Sequence, residues 1–403
     1  MRRPLPLLPS LLAAAFALPL AAVDAPVEKP DQPGTGARLG QAVGSGVEQA
    51  VKSLRFGAYG ELHYNNFQGA DSHNGQGAFN TGRDMIEMHR FVLLGEAQLA
   101  ENIRFVTELE FEHAFAQNNQ GEVELEQCYL DFAYLPEHSV RAGMMLVPIS
   151  IGNLYHEPTT FHGVERPEFD RLVVPTTWFE TGASVQGNVT SQLGYVLAVQ
   201  AAPNAAGYRA QDGIRAGRER GYKSSADDLM VTARLDYRPL TGLWLAAAGA
   251  YLQGDRDEQV ANVDCDTILY TLEARYQLQG WDAGASWGQG FIDNTQVHPN
   301  TTVGSPVPET FQGFSAFLAY DVLRLIVDST QQVYLFARYE NIDLQAEVPT
   351  GTTANKAHQS QVYQAGVTWK VTPNVVVKAD YRDYDNEADN AVDSWNLGLG
   401  FAF

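Results

Sequence analysis

The residues best equipped for chemistry crowd into one stretch, Pro148–Pro175, reading PISIGNLYHEPTTFHGVERPEFDRLVVP. It carries His156, Glu157, His162, Glu165, Arg166, Glu168, Asp170 and Arg171. Imidazoles beside carboxylates can hold a metal, move a proton, or set the charge of a passage. His156-Glu157 does not open an H-E-x-x-H zinc-protease motif, because position 160 is Thr160. No spacing joins His89, His113, His156 or His162 to a serine and an orienting acid, as an activated nucleophile requires. The expectation is no enzyme, no metal centre and no cofactor, which leaves the charge-setting role. A connection this long without helical or strand period is functional or disordered. Phe161, Phe169 and the Leu172–Val174 run argue against disorder. The stretch reads as a loop packed inside whatever the rest of the chain builds.

Composition bounds that structure. The opening MRRPLPLLPSLLAAAFALPLAA sets two arginines before an apolar run and small residues, a secretory signal peptide cleaved after Ala22 or Ala25. Residues 26–53, rich in Pro and Gly, read as a periplasmic lead-in with a weak helical turn near Val47–Lys52. No later run approaches the ~18 apolar residues of a spanning helix. A net charge of −21 excludes nucleic acid and anionic lipid surfaces as partners. Eighteen tyrosines, nineteen phenylalanines and thirty-six glycines point to a β protein with many turns. Cys128 and Cys265 are too few for a disulfide framework and are expected to be unpaired.

From Arg55 onward apolar residues recur every second position in sixteen segments, from 54–67 to 391–403. Their connections alternate. Ala100-Glu101, Pro136-Glu137, Thr190-Ser191, Leu240-Thr241, Gln279-Gly280 and Thr372-Pro373 are tight turns, whereas 68–81, 149–176, 204–225 and 293–308 are long and polar. In 268–277, Ile268, Tyr270, Leu272, Ala274 and Tyr276 oppose Leu269, Thr271, Glu273, Arg275 and Gln277. A soluble sandwich would alternate as well. The signal peptide, the lack of a second core pattern and a final strand ending on Phe403 favour a membrane barrel. The expected fold is therefore all-β: a 16-stranded antiparallel transmembrane barrel over 54–403, with 149–176 as an inward-folded third outer loop. Cys128 then faces lipid with Leu130 and Phe132, and Tyr64, Tyr134, Tyr237 and Trp369 form interfacial girdles.

The opposite face becomes the pore wall. Arg90, Arg104, Glu108, Glu110, Glu112 and Arg141 supply its first third, and Arg234, Arg238, Arg275, Arg338, Lys378 and Arg382 the remainder. Sixteen strands enclose a bore wide enough for water, and wall charges bias which ions pass. The loop would bring His156, Glu157, His162, Glu165, Arg166, Glu168, Asp170 and Arg171 to a constriction. Trp178, Tyr59 and Tyr129 are inward aromatics on which a sugar or aromatic acid could stack. A non-conducting adhesion barrel is the other reading, with 204–225 as its presented surface.

YLDF (129–132), GMMLVP (143–148), HEPTTFHGVERPE (156–168) and PTTWFETG (175–182) resemble the phosphate-selective porin O and P family of Gram-negative bacteria. The resemblance is densest between 128 and 187. It implies a sixteen-stranded homotrimeric channel in the outer-membrane lipid for passive uptake of small hydrophilic solutes or ions. Phosphate channels of that family rely on constriction arginines and a lysine ladder. Here the loop sets Glu157, Glu165, Glu168 and Asp170 against Arg166 and Arg171. That balance points to a general or weakly cation-preferring pore rather than a phosphate filter.

Overall fold

The computed structural model describes residues 53–68, 84–114, 121–254 and 264–403. The expected signal peptide, the lead-in up to residue 52 and parts of the connectors 68–81, 117–121 and 255–264 lie outside the described residues. Sixteen strands follow one another: β1 (Arg55–Phe67), β2 (Met85–Ala100), β3 (Ile103–Glu112), β4 (Glu122–Leu135), β5 (His138–Leu146), β6 (Phe179–Asn188), β7 (Leu193–Ala201) and β8 (Leu229–Leu240). The second half is β9 (Leu243–Leu252), β10 (Thr267–Leu278), β11 (Trp281–Ile292), β12 (Thr310–Asp321), β13 (Gln332–Glu347), β14 (Gln359–Thr372), β15 (Val375–Asn386) and β16 (Ser394–Ala402). Each pairs antiparallel with its neighbours, and β1 pairs with β16 from Tyr59↔Ala402 to Phe67↔Ser394, closing the barrel. Closure leaves no unpaired sheet edge, which is what a sheet needs in order to sit in hydrocarbon. The fold is the expected 16-stranded antiparallel barrel.

Burial separates the two faces as the alternation requires. Phe56, Ile86, Leu235, Ile268, Leu272, Leu318 and Leu397 are exposed on the outside, while Arg90, Thr232, Arg234, Thr271, Glu340 and Arg382 are buried. An Arg or Lys on the outer face at mid-depth would cost about 2–4 kcal/mol, so the charged face turns inward. Tyr134, Tyr237 and Trp369 are exposed near strand ends, and aromatic pairs such as Trp281–Tyr320 (4.6 Å) and Tyr381–Trp395 (4.5 Å) lie nearby.

Local geometry moves some boundaries. Among the described residues β3 ends at Glu112, where His113 and Ala114 adopt left-handed φ of 56° and 55°. The Gln279-Gly280 turn has positive φ at both positions, 53° and 87°, the pair a two-residue type I′ hairpin needs. The β12–β13 connection lies on the short-turn side but spans 322–331 and holds a 3₁₀ turn over Val322–Leu325.

A bulge matters more for function. Glu108 pairs with Gln127 but Leu109 with Leu125, so Glu126 is an extra residue in β4. Strict alternation would place Glu126 outside with Cys128, Leu130 and Phe132. The bulge resets the phase, and Glu126 is buried with Gln127 turned to the same side, against Glu108.

Candidate functional site

The segment between β5 and β6 begins with a helical turn over Ile151–Leu154 and ends with a π-turn over Phe169–Val173. Phe169, Leu172, Val173 and Val174 are buried in an apolar cluster with Met230, Leu252, Leu269, Phe311 and Ile342. Those partners come from β8, β9, β10, β12 and β13, from the face that is polar lower down. Gly313 on β12 leaves the room: a Cβ there would sit 2.6 Å from Val173 Cγ2. Each fully buried side chain of this kind is worth about 1.5–3 kcal/mol. The four together contribute on the order of 10 kcal/mol as an upper bound. Apolar burial thus holds the segment, and polar contacts set its position.

Those polar contacts reach strands around most of the barrel. Ile151 N–H donates to Glu273 Oε2 (2.8 Å), and Thr271 Oγ1 donates to the Ile149 carbonyl (2.6 Å). His162 lies 3.1 Å from both Asp282 and Thr368, and Arg338 donates to its carbonyl at 2.8 Å. Val164 N–H meets Asp380 (2.6 Å), and the amides of Glu168 and Phe169 both donate to Glu340 at 3.1 Å. On the other side Arg90 donates to the His156 carbonyl (2.5 Å), and Tyr59 Oη lies 3.1 Å from His156 Nε2.

The eight loop residues singled out by sequence are brought to this segment, but most face the wall. His156 and His162 are buried. Glu165 lies 3.2 Å from His63 and accepts from Asn65 at 3.0 Å. Glu168 pairs with Arg382 at 3.1 Å and also with Arg171. Asp170 packs on Gly152, where a Cβ would lie 2.3 Å from its carboxylate. Glu157 is half-buried and its carbonyl accepts from Thr160 Oγ1 at 2.7 Å, while Arg166 lines a small cavity with Arg275 and Arg338. Burial, with the carboxylates of Glu273 and Glu340, pushes the Asp170 carboxyl up to about 7. Burial holds the His162 imidazole down to about 4, the nearby Asp282 notwithstanding.

The predicted wall residues form pairs of their own. Arg90 meets Glu61 at 2.6 Å and lies 3.9 Å from Glu110; Arg104 and Arg141 share Asp131 at 2.9 and 3.0 Å. Arg234 joins Asp236 (2.8 Å) and Glu273 (3.5 Å), and Arg275 joins Asp282 (2.7 Å). Arg338 donates to Gln364 at 2.7 Å, Lys378 Nζ stands 3.7 Å over the Phe161 ring, and Arg238 stacks over Trp244 at 4.4 Å. Glu108 accepts from Tyr59 at 2.8 Å, whereas Glu112 is half-buried and stands opposite Arg90 in the β2–β3 register. Tyr59 and Trp178 are covered by the segment, too deeply for a passing solute to stack on them. Cys128 and Cys265 are both free.

Open space remains on the other side of the segment. A cavity of about 320 Å³ lies between Pro148, Leu154 and Tyr155 and the wall residues Gln127, Arg141, Ser184, Gln186, Gln200 and Asp236. A second, of about 370 Å³, continues toward the short turns through Arg104, Asp131 and Ser139, sharing Arg141 and Gln186 with the first. Tyr155 is half-exposed here and meets Trp244 of β9 edge-on at 5.5 Å. Sequence reasoning missed Tyr155, Trp244, Asn153 and Glu126. The aromatic pair carried no signal, since only the path of the segment brings 155 to 244. It also missed Arg215 and Arg218 of the 204–225 connector, taken as a surface feature. They reach inward and donate to the carbonyls of Arg171 and Pro175 at 3.1 and 2.8 Å.

This architecture is that of the sixteen-stranded outer-membrane porins. A porin of Salmonella typhi, OmpF in complex with daunomycin, superposes with a TM-score of 0.57 at 14% identity, covering 87% of this chain and 97% of that one. An anion-selective porin from Comamonas acidovorans gives 0.55 at 12% identity over 87% and 99%. The channel DcaP of Acinetobacter baumannii gives 0.55 at 10% identity over 87% and 97%. No protein-family model matches the chain. By sequence it belongs to one family with an uncharacterized protein of Aquifex aeolicus (strain VF5), 31% identical over 370 residues, 88% of this chain and 81% of that one.

Proposed function

We propose that the chain is a porin of the bacterial outer membrane, a water-filled channel for passive diffusion of small hydrophilic solutes or ions. The observation that carries this reading is a pair of neighbouring cavities that share Arg141 and Gln186, one between the β5–β6 segment and the β4–β8 wall and the other along β2–β6 at the short turns. On this reading 149–176 is the constriction loop, and Tyr155, Arg141, Gln186 and Asp236 border the narrow passage. The passage mixes Arg104 and Arg141 with Asp131 and Asp236, while the loop acids Glu165 and Glu168 are answered by His63, Arg171 and Arg382. Acids and bases mixed and largely paired in this way, among the described residues, support weak ion selectivity rather than a phosphate filter. The chain works as a homotrimer in lipid, a reading supported by the trimer form described for OmpT of Vibrio cholerae, which shares the fold. It catalyses no reaction and is exported through its cleaved N-terminal segment.

The test is conductance of the purified protein in planar bilayers, with reversal potentials in KCl and potassium phosphate gradients. Stepwise ohmic openings with a near-zero reversal potential are expected, and Tyr155→Ala raises the step size. Absence of any conductance from correctly folded protein overturns the channel, and a strong phosphate preference overturns the weak selectivity.

A further inference from the structure

We propose that Glu108, Glu126 and His156 form a binding site for one divalent cation of the zinc class, which fastens the β5–β6 segment to the barrel wall. One ligand atom from each residue lies within 4.8 Å of the other two, and all three side chains are buried. Glu126 is the telling member. It is 0% exposed, and neither of its carboxylate oxygens accepts a hydrogen bond from the protein. A buried carboxylate left without donors is costly and calls for a compensating positive charge. The β4 bulge places it there, against the period of the strand.

The other two donors are already oriented as ligands. His156 Nδ1 lies 3.0 Å from the Asn153 carbonyl, which can only accept, so Nδ1 carries the proton and Nε2 presents its lone pair. A ring nitrogen donating to a carbonyl while the other faces the metal is the usual way a histidine ligand is held. Asn153 is itself fixed, donating to the Val147 and Trp178 carbonyls at 2.8 Å. Glu108 is steadied by Tyr59 at 2.8 Å and by Gln127. His156 Nε2 and Glu126 Oε1 stand 3.4 Å apart, close to the roughly 3.3 Å edge of a tetrahedron with zinc–ligand bonds near 2.0–2.1 Å.

Charge favours the same occupant. Arg90 is committed to Glu61 at 2.6 Å. Among the described residues, His156 is the basic group within ion-pair distance of Glu126. Burial opposes a charge on that imidazole, yet Glu126 raises its pKa, so a proton is the cation's competitor. A dication answers both glutamates together. The second grouping, Glu87 with His89 and His113, differs: its carboxylate oxygens already meet imidazoles at 3.1 and 2.9 Å. It serves as the internal control.

The experiment uses the full-length protein in detergent, stripped with chelator and titrated with Zn²⁺ by calorimetry, with X-ray absorption of the zinc-loaded wild type. About one Zn²⁺ per chain is expected, with one imidazole and otherwise oxygen ligands. Glu126→Gln should weaken binding by roughly tenfold or more, since even outer-layer partners of a metal ligand are worth 10–100-fold. His89→Ala/His113→Ala should leave it unchanged. If Glu126→Gln does not assemble, Glu108→Gln and the wild-type spectrum decide. Equal zinc affinity in wild type and Glu126→Gln overturns the site, as does binding lost only in the His89/His113 variant. Zinc that leaves the melting temperature of the wild type unchanged also overturns it, since an ion bound only to the folded chain must stabilise it. Binding is read without current, so a chain that fails to conduct can still pass this test.

Discussion

Arg382→Gln probes how the β5–β6 segment is docked. Arg382 and Glu168 are both buried and meet at 3.1 Å, and Arg382 lies 4.0 Å from Glu340. Removing one partner of a buried pair costs about 3–5 kcal/mol, because the other charge stays behind. Here Glu168 keeps Arg171, and Glu340 keeps two backbone donors, so the lower end, about 3 kcal/mol, applies. At 1.4 kcal/mol per factor of ten that is roughly 100-fold in the opening equilibrium of the segment. It is a fraction of the ~10 kcal/mol from apolar burial, so the segment loosens without leaving. Hydrogen exchange is the assay, read at the amides of Glu168 and Phe169, which donate to Glu340 and report local opening. These should exchange about 100-fold faster in Arg382→Gln, while β13 and β14 amides hold their rates. Glu168→Gln/Arg382→Gln should lose less than the two single variants combined, by about 1–3 kcal/mol. Unchanged exchange in Arg382→Gln, or single-variant losses that simply add, would refute the reasoning.

Two further outcomes follow from burial. Asp170, held up to about 7, favours the docked segment when neutral; that contribution is complete below its ordinary 3.8 and is lost as pH rises through 7. His162, held down to about 4, favours docking when neutral, so its contribution is complete above its ordinary 6.5 and is lost as pH falls through 4. The two oppose each other between about 4 and 6.5. Asp170→Asn should therefore show docking that strengthens from pH 4 to 6.5, and His162→Gln docking that weakens from pH 4 to 7, both by exchange corrected for intrinsic rates; slopes of the same sign in both would sink this account. Separately, a maleimide that partitions into detergent should modify Cys128, which is partly exposed on the outer face, well before the buried Cys265, whose thiol burial pushes up to about 12. Faster reaction at Cys265 would overturn the face assignment of β4.

The period-two pattern was enough to count strands, close the barrel and choose its faces, because a charged side chain on the apolar face is penalised strand after strand, most of all Arg or Lys at mid-depth. Alternating short and long connections were enough to mark 149–176 as a long connection, which runs between β5 and β6. Its charged residues were legible as a set, but their partners were not. Glu168 meets Arg382 across 214 positions of chain and His162 meets Asp282 across 120, distances no local pattern spans. An acidic loop in sequence became a loop whose acids Glu165 and Glu168 are answered by the wall. Glu126 shows the limit most clearly. One extra residue in β4 reverses the phase of alternation, and only cross-strand pairing reveals where a bulge falls. Sequence thus determined which strand residues face inward, through a repeated local rule, while the tertiary path of the segment decided which charges are spent in docking and which line the remaining cavities.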